Sequence, residues 1–153
     1  MKNRFTKGGF TLIELLLVIG IIAILASIVI VAINPTKQLG DARDASRRSD
    51  VNTILNAVYQ YAIDHNGKLP GDNTDPKQIT TDYKGICRTT ETADCTGLAR
   101  LHALSGAYLV ALPVDPQEDD LNKTGYEIKK DANGRVSVKA TAPEIATSIE
   151  VTR

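Results

Sequence analysis

Hydrophobic and polar positions divide the chain into three zones. Residues 1–9 carry Lys2, Arg4 and Lys7 and no acid. From Phe10 to Ile33 the chain is predominantly apolar, and Glu14 is its only charge. Beyond Asn34 polar and apolar positions mix, with 15 basic and 17 acidic residues. The 24-residue apolar run would span about 36 Å as a helix, against roughly 30 Å of bilayer hydrocarbon. A secretory signal core is shorter, about 7–15 residues. A buried helix apolar on every face needs cover all round, which the polar remainder cannot supply. The pattern predicts a membrane-spanning helix.

"AINPTKQ" ends the span. Asn34 can cap, and Pro35 suits the first turn of a new segment because its missing N–H costs nothing there. After it Val51, Ile54, Leu55, Val58, Tyr61 and Ala62 recur at helical spacing and form one apolar face. "DHNGKLP" stops the pattern: Gly67 suits a left-handed C-cap and Pro70 bars resumption. Phe10 to about Asn66 therefore reads as one long helix with a break signal at Asn34–Pro35. Further on, "GLARLHALSGAYLVALP" suggests a short helix over Leu98–Leu104. "GYEIKK", "GRVSVKA" and "TSIEVTR" read as strands, with Asn133–Gly134 as a hairpin turn. Three antiparallel strands must bury one face, and the amphipathic half of the long helix is the available partner. The fold class is α+β.

Composition then narrows the function. The chain has 153 residues and formal net charge zero, so nothing global points to nucleic acid. The cluster "DARDASRRSD" places Arg43, Arg47 and Arg48 among acids without interleaved aromatics. It reads as a solvated helix face or an inter-subunit ion-pairing surface, and nucleic acid is not expected as a partner. The positive-inside rule does not settle orientation, because Lys37, Arg43, Arg47 and Arg48 follow the span. Cys87 and Cys95, the only cysteines, have seven residues between them. That matches neither CxxC redox chemistry nor a zinc site, which would want more ligands. Either they are two unpaired small residues or they form a disulfide. The disulfide is the better reading; it would add about 2.6 kcal/mol by chain entropy and would place the C-terminal part in an oxidising compartment.

No catalytic constellation is visible. His65 and His102 have no partner motif, and Ser105 lacks a nucleophile elbow. The acidic loop "DPQEDDLNKTGY" offers Asp115, Glu118, Asp119, Asp120 and Asn122 as oxygen ligands, but not at EF-hand spacing. A solvated turn is the preferred reading, and no metal or other cofactor is assigned.

"KGGFTLIELLLVIGIIAIL" resembles the class III signal and N-terminal helix of type IV pilins and pseudopilins. These have a basic leader ending in glycine, then phenylalanine, then an apolar helix with glutamate at its fifth position. Gly9, Phe10 and Glu14 fill those places. The resemblance implies a type IV pilin-like fold: a leader (1–9), a membrane or filament-core helix (10–34) and a head domain (35–153). Within the head it implies an amphipathic helix (35–66), a variable loop (67–112) and a sheet (113–153). It implies cutting between Gly9 and Phe10 by a prepilin peptidase, N-methylation of Phe10, and an N-inside membrane anchor. It also implies pairing of Glu14 with the Phe10 amine of a neighbour, so that the chain polymerises with itself on an assembly platform in the inner membrane. Before assembly its partner is lipid. An intramembrane carboxylate costs roughly 3 kcal/mol, which such pairing would relieve; the bland alternative is a snorkelling side chain. The expected product is a pilus-like filament. Alternatives are a pseudopilin of type II secretion or DNA uptake, and a monomeric membrane-anchored binding domain. Related major pseudopilins bind calcium before their late strands. The helix-breaking glycine and proline common in this family are here Ala23 and Val31.

Overall fold

The computed structural model describes residues 9–71, 79–88 and 95–153. The leader apart from Gly9, and parts of the variable loop, lie outside the described residues. The chain falls into two units, up to Gln38 and from Leu39 to Arg153.

The first unit contains helix α1, Leu12–Ile33, unbroken over 22 residues. No residue in it is buried. At 1.5 Å per residue it is about 33 Å long. Its N-cap is Thr11, and Asn34 ends it in the left-handed conformation at φ 46°. Helix α2, Pro35–Asp64, starts at once. The break signal at Asn34–Pro35 thus separates two helices at the boundary expected between the two segments, a full interruption rather than a kink in one long helix.

The second unit is built on α2. Val51, Ile54, Leu55, Val58 and Ala62 are buried on it, the face that the spacing predicts. Asn66 and Gly67 both take positive φ, and the Gly67 amide donates to the Ala62 carbonyl at 2.7 Å, closing the helix where glycine was expected to close it.

Opposite α2 lies a four-stranded antiparallel meander: β1 (Lys84–Cys87), β2 (Lys123–Lys130), β3 (Val136–Ala140) and β4 (Glu150–Thr152). The three late strands are where alternation predicts them. β1 is an addition, because four residues inside a loop carry too little pattern to announce a strand. The β2–β3 hairpin turns through Asp131–Arg135, a longer loop than a two-residue Asn-Gly turn, closed by the Asp131 amide on the Arg135 carbonyl at 2.8 Å. Asp131 organises it, accepting from the amides of Asn133 and Arg135. The expected helix over Leu98–Leu104 is corrected to one 3₁₀ turn, η1 (His102–Leu104). Ala99 instead bridges to Ile86 in parallel, so β1 claims the backbone that a helix would have used.

The core joins the buried face of α2 to Ile86, Tyr126, Ile128, Val136 and Val138. Each buried aliphatic side chain contributes about 1.5–3 kcal/mol before entropy is counted. Tyr126 is the largest apolar member, and its hydroxyl donates to Asp50 at 2.7 Å.

Candidate functional site

Glu14 occupies a defined place at the start of α1. Its Oε2 accepts from the Thr11 amide at 2.8 Å and from the Thr11 hydroxyl at 2.7 Å. The Glu14 amide donates back to the Thr11 hydroxyl at 3.3 Å. This is a reciprocal capping box: each side chain satisfies an amide that the first helical turn leaves without a backbone partner. Thr11 is a residue that the sequence reading missed, although its signal, Thr-x-x-Glu before an apolar run, was present. Snorkelling and pairing between chains are therefore not the only roles open to Glu14, which also caps its own helix. Gly9 and Phe10 precede the cap outside the helix and are exposed. Phe10 is 82% exposed, so the junction is open to another protein. Along α1 the large apolar side chains are about half exposed or more, a surface that water disfavours.

In the second unit the charged cluster on α2 is not simply a solvated face. The Arg47 side chain is fully buried. Its Nε and Nη2 grip Asp115 at 2.6 and 2.9 Å, and its Nη1 reaches Asp44 at 2.9 Å and Glu144 at 3.0 Å. Nη2 also donates to Gln117. Asp44 in turn accepts the amides of Glu144, Ile145 and Ala146 at 2.8–3.0 Å. Arg43 adds a second cation on Glu144 at 2.6 Å. One guanidinium thus ties α2 to the loop before β2 and to the connection between β3 and β4. The fit is tight: a Cβ on Gly125, at φ +79°, would lie 2.5 Å from the Asp115 Cβ. Only glycine lets β2 pass this close.

The expectation of a solvated turn over the acidic loop is corrected at Asp115, whose two oxygens are held by Arg47 and the Gln117 amide. Further along, Glu118 and Asp120 accept the amides of Asp120 and Asn122, ordinary turn bonds.

Acid should loosen this node. Burial works against the Asp44 charge, but the Ala146, Glu144 and Ile145 amides and Arg47 outweigh it and hold the carboxyl well below its ordinary range. At Asp115 burial also opposes the charge, and Arg47 with the Gln117 amide prevails in the same direction. A carboxylate with a depressed folded pKa stabilises fully above its unfolded value, about 3.9, and loses that contribution as pH falls toward the folded value. The melting midpoint should therefore stay level from about pH 7 to 5 and drop below about pH 4. Circular dichroism melts check this, and Asp44→Asn should flatten the acid limb.

Cys87 and Cys95 form the disulfide, both fully buried. His102 stands next to it, with one ring nitrogen and both sulfurs within 4.8 Å of one another. Burial, helped by Arg100, holds the imidazole below its ordinary pKa. His65 stacks on Tyr61 at 3.8 Å and is a surface residue at the end of α2. Ser105 follows η1 and is exposed.

A capped apolar helix followed by an α+β head defines a class, and comparison with known proteins agrees with it. Residues 4–30 match the family described as the prokaryotic N-terminal methylation motif. Over 120 residues the chain is 30% identical to the type II secretion system core protein G of Escherichia coli (strain K12), covering 78% of this chain and 73% of that protein. No solved structure gives a significant match. This chain belongs to the type IV pilin and pseudopilin family. It is a structural subunit type rather than an enzyme. The apolar helix and the motif fit membrane anchoring.

Proposed function

We propose that this chain is a structural subunit that polymerises through α1 into a pilus-like filament once residues 1–9 are removed. The observation that carries this reading is α1 itself, 22 residues without one buried side chain, while the second unit has a hydrophobic core of its own. Such a helix has two stable environments, lipid and the same helix of other copies. Before assembly it anchors the chain in the cytoplasmic membrane with its N-terminus inside. Afterwards it lines the axis of an extracellular or envelope-spanning filament. A prepilin peptidase and methyltransferase cuts between Gly9 and Phe10 and methylates the new amine, and an inner-membrane platform feeds subunits into the polymer. Glu14 then pairs with the Phe10 amine of a neighbouring copy.

The name of the Escherichia coli relative favours, as a second reading, a pseudopilin of a secretion apparatus. A DNA-uptake pseudopilin would use the same helix. A monomeric anchored binding domain is the alternative of another class.

Gly9→Val tests the proposal. The small residue lets the peptidase reach the bond, so the variant should remain uncut in the membrane fraction, and sheared filaments should contain none of it. Mass spectrometry of wild-type filaments should give a methylated chain beginning at Phe10. Any other start overturns the assignment of the junction. Processed wild-type chain that never leaves the membrane fraction favours the monomeric anchor.

A further inference from the structure

The disulfide sits in a cluster with more donors than a covalent staple needs. Cys87 ends β1, Cys95 opens the turn leading to Ala99, and His102 begins η1. Backbone bonds fix this arrangement independently of the sulfurs. The Ala99 amide donates to Gly85 at 2.8 Å, and the Cys87 amide donates to Ala99 at 2.9 Å. Opening the S–S bond would therefore leave β1 tied to Ala99, midway along the segment from Cys95 to His102. Both cysteines are fully buried, as are the nearby Ile86, Ala99, Leu101 and Leu104. The Nε2 atom of His102 is buried and has no hydrogen-bond partner among the described residues. A buried polar atom in that state is disfavoured and is one mark of a site for a water or ion. His102 also lines a cavity of about 570 Å³ with Arg88, Ser105, Val110, Leu112 and Val114, so one side of the imidazole is reachable.

We propose that the thiol form of Cys87 and Cys95, with His102, is a binding site for a thiophilic divalent cation such as Zn²⁺, and that metal and disulfide are mutually exclusive states of this locus. Two thiolates and an imidazole form a Cys₂His set, which zinc accepts with a fourth position left to water. Zn–S bonds of about 2.3 Å in tetrahedral geometry place the sulfurs about 3.8 Å apart. The Cα atoms, 5.5 Å apart, accommodate the bonded and the opened pair by side-chain rotation alone. The sequence spacing of the cysteines argued against zinc for want of ligands, and the fold supplies the missing one. Opening the bond takes two electrons and two protons. A dithiol reductant supplies both and closes its own disulfide; metal binding then releases the two thiol protons to water.

The test uses the full chain in detergent micelles, reduced without oxygen by a water-soluble phosphine. The phosphine and one water deliver the electrons and protons, and phosphine oxide leaves. Titration with Co²⁺ should give one equivalent of a tetrahedral complex with sulfur-to-metal charge transfer, and Zn²⁺ should displace it. The disulfide form should give no such band. Cys87→Ser should lose the charge transfer, and His102→Asn should bind at least about tenfold more weakly with altered d–d bands. A melt of His102→Asn in the disulfide form establishes that it folds. If it does not fold, X-ray absorption of the zinc-loaded wild type decides: nitrogen together with two sulfurs supports the site, and a shell lacking nitrogen overturns it. A reduced wild-type chain without the charge-transfer band, or His102→Asn with wild-type affinity and spectrum, overturns it as well.

Discussion

Arg47→Met should destabilise the head domain by about 3–5 kcal/mol, the usual loss when one member of a buried charge cluster is removed. Methionine keeps much of the volume, so a packing defect is a minor part of the change. The major part is Asp44, Asp115 and the half-buried Glu144 left together without the cation between them. The melting midpoint should fall on the order of 15 °C, measured by circular dichroism on the full chain. Arg47→Lys should recover part of the loss, because it restores the charge but cannot repeat the two-pronged grip on Asp115. Replacing exposed Arg48 by methionine should change little and serves as the reference. If Arg47→Met melts within a few degrees of wild type, Arg47 is not what joins α2 to the two loops.

Glu14→Val should reduce filament yield by more than about tenfold while leaving membrane insertion intact, since it removes a charge from the apolar run. The capping box complicates that single change, because valine also removes the bonds to Thr11. Glu14→Gln separates the two roles. Glutamine can still close a capping box, so the helix start is kept while the charge is lost. Thr11→Ala does the reverse, costing about 1 kcal/mol of helix start while the carboxylate remains. If attraction to a neighbour's Phe10 amine drives assembly, Glu14→Gln should fail as fully as Glu14→Val, and Thr11→Ala should assemble. If Glu14→Gln fills sheared filament fractions normally, the carboxylate acts as a cap and the pairing role is lost. The comparison is between membrane-fraction subunit and sheared material for each variant, with the leader removed in all of them.

Periodicity and local chemistry determined a good deal by themselves. The span of α1, the buried face of α2, the stop at Gly67 and the three late strands are short-range consequences of residue order. An apolar run, a 3.6-residue repeat or a two-residue alternation constrains its own neighbourhood strongly enough to be read directly. The Thr11–Glu14 box was equally local and legible, four residues in one turn.

The tertiary structure decided what depends on residues far apart in the chain. Arg47 and Asp115 are 68 positions apart, and Asp44 and Ala146 are 102 apart. Nothing near Arg47 distinguishes it from exposed Arg48, because burial is set by which face the sheet covers and which loops descend on it. β1 is four residues without alternation, and it exists because β2 offers an edge to pair with. The same pairing takes Ala99 out of the expected helix and carries His102 to the sulfurs. Short-range order thus established the elements, and long-range pairing placed the charges and the histidine.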